Sequence, residues 1–169
     1  MARNCPLTST LRLDLWTREL TYMAADAAAG SDWKLCRYAL YALAACLSTG
    51  FEGAPRAVHD ANLLPLLTAL TDAAEAAGPQ GPALRRAVAT VVGAGAVPMS
   101  DEEHVWWGEL LVSWVVGPEG GDESLRIAAS SALSGMLRRC CAVGSCVWCP
   151  LPCTVCGFVL HVRATPHVC

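Results

Sequence analysis

The stretch Trp33-Lys-Leu-Cys-Arg-Tyr-Ala-Leu-Tyr-Ala-Leu-Ala-Ala-Cys-Leu-Ser48 has the spacing of an α-helix with an unusually broad apolar surface. Its main apolar stripe recurs every three or four residues and consists of Cys36, Leu40, Leu43, Ala44 and Leu47. Ser31 or Asp32 can cap the start of this helix. Tyr38 and Ala42 make the other faces of this helix partly apolar as well. The pattern therefore predicts an inner helix that contacts neighbours on more than one side.

The composition favours helices over sheets. Of the 169 residues, 54% are hydrophobic and 16% are charged, which is well above the hydrophobicity of disordered chains. Ala, Leu and Val supply most of the apolar residues, with only two Phe and three Tyr. Small and aliphatic residues suit packed helices better than strands. The sequence therefore predicts an all-α fold.

Working outward from the inner helix, apolar periodicity predicts six helices. Their approximate ranges are 10–29, 33–49, 58–77, 82–93, 101–116 and 122–140. Pro6 indicates an extended start, Gly50 to Pro55 reads as a loop, and Pro65 fits a first turn if the third helix properly starts near Leu63. The clearest helix start is the capping box at Ser100, with Glu103 at its third helical position.

The six helices form three pairs that repeat at a nearly constant interval. The second helices begin near Trp33, Pro82 and Glu123, so the interval is about 40 to 50 residues, the range of HEAT and armadillo repeats. The predicted organisation is a flexible segment at 1–9, a HEAT/armadillo-like α-solenoid segment of about three antiparallel helix pairs at 10–141, and a Cys-rich tail at 142–169.

Four sequence features occur in order along the chain: Trp33-Lys-Leu-Cys-Arg-Tyr-Ala-Leu-Tyr-Ala-Leu43, Leu64-Pro-Leu-Leu67, Leu84-Arg-Arg-Ala-Val-Ala-Thr-Val-Val-Gly93, and Ala128-Ala-Ser-Ser-Ala-Leu133 ahead of Cys140-Cys141. Together they are similar to the middle of a karyopherin of the importin-β superfamily, in its transportin-SR-like branch. The resemblance spans residues 33–141 and implies a fragment of a HEAT-repeat solenoid.

The resemblance implies a protein-binding scaffold in protein import into the nucleus, shared between cytoplasm and nucleus, with no enzymatic step and no cofactor. Cargo proteins or a Ran-type GTPase would be its partners in a full receptor. A generic HEAT or armadillo adaptor is the alternative, and it fits the same helical pattern.

Charge is distributed unevenly along the chain, whose net charge is -3. Residues 1–123 hold eight Lys and Arg against fifteen Asp and Glu, a difference of -7. Nucleic-acid backbones require clustered basic residues, so we expect no nucleic-acid partner. The longest apolar run, 87–99, is too short to cross a bilayer, so we expect no membrane partner either.

The tail contains two CxxC pairs, formed by Cys146 with Cys149 and by Cys153 with Cys156. Four thiolates can hold a zinc ion, and a zinc-binding module is thus a second alternative function. Only Pro150-Leu-Pro152 separates the pairs, whereas zinc ribbons separate theirs by about 15–20 residues. We expect no stoichiometric zinc complex and a disordered tail; an ordinary packed tail and metal binding remain the alternatives.

Helix five contains the other candidate side chains. His104 has no His, Asp or Glu partner in a known metal motif, so it is expected to be a solvent-side or core histidine. Trp106, Trp107 and Trp114 could stack on bases, but no basic residues interleave them. Packing is the expected role of these three tryptophans.

Overall fold

The structure is a computed structural model that describes residues 6–94, 97–117 and 122–142. This described part is helical throughout its regular structure and contains no strand, which confirms the all-α prediction. Its α-helices are α1 (Pro6–Ala29), α2 (Trp33–Ser48), α3 (Ala54–Asp60), α4 (Leu63–Ala76), α5 (Gly81–Gly93), α6 (Asp101–Val116) and α7 (Glu123–Ala142). A short 3-10 helix at Gly78–Gln80 leads into α5.

The predicted third helix is two helices, which corrects the prediction of one helix over 58–77. Helix α3 begins at Ala54, inside the predicted loop, because Pro55 lies in its first turn, where a missing N–H is not needed. Asn62 then adopts a left-handed conformation with φ of 52°, which interrupts the helix before Leu63. Asn tolerates this conformation better than most residues, and periodicity alone does not register it.

Helix α1 also starts earlier than predicted, at Pro6 instead of Thr10. The expected extended start at Pro6 is therefore wrong, because proline fits the first position of a helix. The remainder of the expected flexible start, residues 1–5, lies outside the described part of the chain. At the other end α7 continues to Ala142, and the predicted tail beyond it also lies outside the described residues.

Each predicted helix pair is in contact. Helix α1 packs on α2, α4 on α5, and α6 on α7, while α3 bridges α1 and α4. The second helices of the pairs also contact one another, α2 with α5 and α5 with α7. Helix α2 is thus enclosed by neighbours on two sides, as its broad apolar surface predicted, and its buried stripe includes Cys36, Leu40 and Leu43.

Helices α5 and α7 approach each other at backbone distance. A Cβ atom added to Gly135 would lie 2.9 Å from the Gly93 carbonyl oxygen, and one added to Gly93 would lie 3.0 Å from the Ala132 Cα. Both distances are shorter than ordinary van der Waals contact, so glycine at both positions permits the close packing. The three second helices consequently form one continuous row, α2–α5–α7.

Candidate functional site: a groove across three helices

A groove of about 640 Å³ crosses the row formed by α2, α5 and α7. Helices α1, α4 and α6 contribute nothing to its lining, so it lies on the face of the row that these helices leave uncovered. Its lining residues are Tyr41, Ala44, Ala45, Ser48, Arg86, Ala89, Thr90, Gly93, Ala94, Ser124, Ile127, Ala128, Ser131 and Ala132. We call this surface the row groove.

The row groove follows directly from small residues at helical spacing. Ala, Ser, Gly and Thr occupy most of the lining positions on all three helices, three or four residues apart. Side chains of this size fill little of the space between adjacent helices, and a depression remains along the row. Ile127 is the large aliphatic exception, and its side chain is 63% exposed in the groove.

One charged side chain, Arg86, lines the row groove. Its Nε donates a hydrogen bond to the Tyr41 hydroxyl at 3.1 Å, which joins α5 to α2. Arg86 makes no ion pair with any described residue, and no acidic residue lines the groove among the described positions. A fixed positive charge therefore lies in an otherwise neutral surface.

Two further charged residues, Arg37 on α2 and Asp122 just before α7, do not line the groove. Arg37 stands one turn before Tyr41 on α2, and its Nε is buried without a hydrogen-bond partner among the described residues. Asp122, at the start of α7, has its carboxylate engaged by the backbone N–H groups of Ser124 and Leu125, at 2.9 and 3.3 Å. The Asp122 carboxylate thus caps the start of α7.

A second cavity of about 360 Å³ lies where the α3–α4 junction meets the start of α6. Its ionisable lining residues are His59 and Glu103. The Glu103 carboxylate accepts the Ser100 N–H at 2.6 Å in the predicted capping box, and His59 Nδ1 lies 3.7 Å from an Asp60 oxygen. Each of these two side chains contacts a residue close to it in the chain at a helix end, so the described lining of this cavity offers no paired groups for catalysis or metal binding.

The structure buries two of the four candidate side chains of α6. Trp107 and Trp114 are buried, with 1% and 3% exposure, which confirms the packing interpretation for these two side chains. Trp106 is 41% exposed and meets Trp107 edge to face at 5.0 Å between ring centroids. His104 is half-buried, and its Nδ1 lies 3.0 Å from the Ser100 carbonyl oxygen within the first turn of α6.

The candidate zinc ligands Cys146, Cys149, Cys153 and Cys156 lie outside the described residues, so the expectation about zinc stays a prediction. Within the described residues, no group of three or more His, Cys, Asp or Glu side chains is placed to hold a metal ion. Cys36 is fully buried there, and desolvation, followed by the charge of Asp32, raises its thiol pKa to about 11. Burial raises the pKa of the Cys46 thiol as well.

Sequence reasoning did not identify the row groove or its residues Tyr41, Arg86 and Ile127. The available signal was the recurrence of small residues at corresponding positions of three second helices. That signal is weak, since Ala-rich helices also form ordinary cores.

Comparison of the chain with protein-family models, with curated proteins and with solved structures finds no significant match. Among the described residues, no helix combines the length and apolar character required to cross a membrane.

Proposed function

We propose that this chain is a protein-binding scaffold built from stacked helix pairs of the HEAT or armadillo type. The observation that carries the proposal is the row groove, because three helices from three successive pairs contribute to one continuous surface. Repeat proteins of this kind bind partners along surfaces that neighbouring repeats create together.

The character of the row groove favours a polypeptide ligand. Ala45, Ser48, Ser124 and Ser131 are exposed along it, so the surface is open to solvent and accessible to an extended or helical segment. Sites for small molecules are generally enclosed and surround most of the ligand surface. A helix or peptide laid along the row would instead place its own side chains between the small residues.

The narrower proposal is a fragment of a nuclear transport receptor acting in protein import, and it rests on the sequence resemblance over residues 33–141. Its partners would be cargo proteins or, within a full receptor, a Ran-type GTPase, and it would occur in cytoplasm and nucleus. A generic adaptor is the alternative. Genomic sequence that continues the reading frame into further HEAT repeats favours the receptor; a locus without neighbouring repeats favours the adaptor.

Protein binding is tested by selection from a displayed peptide library that tiles the proteome of the source organism. Full-length chain is the bait, and Ile127→Glu is the decisive variant because it places a charge on the largest exposed aliphatic side chain in the groove. We expect peptides with a shared pattern to bind the wild type and to lose at least about tenfold in affinity for Ile127→Glu, as expected for truncating or charging a central contact.

Val116→Glu is the matched control, since Val116 is 72% exposed on α6 and lies outside the groove. Its far-ultraviolet circular dichroism and peptide binding should equal those of the wild type. A selection without enriched sequences, or peptides that bind Ile127→Glu as tightly as the wild type, would overturn the proposal.

A further inference from the structure

Arg86 has donor groups in the row groove that its hydrogen bond to Tyr41 does not use. Arg86 uses Nε to hold the Tyr41 hydroxyl, and its two Nη groups make no hydrogen bond with described residues. These Nη groups form a planar fork that matches a carboxylate, with which arginine commonly makes paired hydrogen bonds. Tyr41 thereby fixes one side of the guanidinium and leaves the other side for a ligand.

The charge of the surrounding chain makes this arginine distinctive. Residues 1–123 carry a difference of -7 between basic and acidic residues, yet the described lining of the groove contains Arg86 and no carboxylate. Arg18 and Arg85 each lie near a carboxylate, Arg18 at 3.1 Å from Asp60 and Arg85 at 3.9 Å from Glu75, whereas Arg86 has no carboxylate within ion-pair distance among the described residues. The positive charge in the groove is therefore complementary to an acidic partner.

We infer that the row groove binds an apolar peptide segment of another protein through a carboxylate that pairs with Arg86. This inference rests on the proposed protein-binding function and specifies the chemistry of the partner. Ile127 contacts the apolar side chains of the segment, and the small residues of α2, α5 and α7 let its backbone approach the row closely. Arg86 selects the segment by charge, and Tyr41 acts as a positioning residue.

The test uses the peptides selected with full-length wild-type chain and measures their affinity by fluorescence anisotropy. We expect the selected peptides to share an Asp or Glu at one position. Arg86→Gln should weaken their binding about tenfold, since a hydrogen bond to a charged group is lost at a partly exposed site. Tyr41→Phe should weaken it by a smaller factor, because the charge remains but its position is no longer fixed.

A double-mutant cycle identifies the pairing itself. Changing the shared Glu or Asp of a selected peptide to Gln or Asn should also lower its affinity about tenfold. Combining this peptide change with Arg86→Gln should lower the affinity no further than either change alone. Arg126→Gln is the matched control, because Arg126 is exposed on α7, changes the net charge equally and does not line the groove. It should leave the affinity unchanged.

Three results would overturn the inference. If peptide binding depends on Ile127 but not on Arg86, or if the peptides share no acidic residue, protein binding stands and the carboxylate pairing is wrong. If binding depends on neither residue, both proposals fail. If a photo-crosslinking amino acid at position 127 of the full chain couples mainly to residues 143–169 or to a second copy, the occupant is the chain itself.

Discussion

Replacing Gly135 by alanine tests the close packing of α5 on α7. Without tertiary contacts this change should stabilise helix α7 by about 1 kcal/mol, because alanine has a higher helix propensity than glycine. In the structure the new Cβ would lie 2.9 Å from the Gly93 carbonyl oxygen, whereas ordinary contact begins near 3.4 Å, so one helix must move by about 0.5 Å. Overpacking of this kind costs about 1–3 kcal/mol, and backbone atoms cannot rotate away.

The steric cost therefore exceeds the propensity gain, and we expect Gly135→Ala to lower the free energy of unfolding by about 1 kcal/mol. This corresponds to a decrease in Tm of about 3 °C for a chain of this length. Gly135→Val should lower the free energy of unfolding further, by about 2 kcal/mol, because valine adds two more methyl groups than alanine for little gain in helix propensity.

Urea unfolding followed by far-ultraviolet circular dichroism measures both variants, with comparable m-values as the condition for comparing them. Ser131→Ala is the control, since Ser131 is exposed on the same helix and its replacement should stabilise slightly through propensity alone. A Gly135→Ala variant as stable as the wild type, or more stable, would contradict the close approach of α5 and α7.

The remaining predictions concern the core, a helix start and a thiol. Trp107→Ala should lower the free energy of unfolding by about 3–5 kcal/mol in urea titration, because a side chain only 1% exposed leaves a large cavity; a loss below 1 kcal/mol would place this ring at the surface. Ser100→Ala should lower the free energy of unfolding by about 1 kcal/mol, since the Ser100 hydroxyl accepts the Glu103 N–H at 3.3 Å. Ser113→Ala is its control, because the exposed Ser113 hydroxyl donates to the Leu110 carbonyl within α6 and caps no helix start. Burial raises the pKa of the Cys36 thiol from 9.0 to about 11, so the thiol loses its proton at lower pH in the unfolded chain than in the folded protein. The contribution of Cys36 to stability is therefore complete below pH 9 and decreases as the pH rises to about 11. Unfolding titrations of wild type and Cys36→Ala across this range should show a shallower decline in the variant, and equal slopes would contradict the raised pKa.

Local signals account for the parts of the fold that the sequence predicted well. The capping box at Ser100 and the apolar stripe of α2 depend on residues close together in the chain, and both appear in the structure as expected. The division into α3 and α4 was missed because it depends on Asn62 adopting a left-handed conformation, which a periodic pattern of apolar residues does not record.

The sequence by itself determined the helical class, the approximate helix pairs and the acidic balance of the first 123 residues, because propensity, periodicity and charge are properties of the chain read in order. Only the tertiary structure decided which small residues meet to form the row groove. Tyr41 and Arg86 are 45 positions apart, and their hydrogen bond exists because α2 and α5 pack side by side. Local patterns carry no information on such a pairing, since it depends on how far each helix is rotated and shifted against the next.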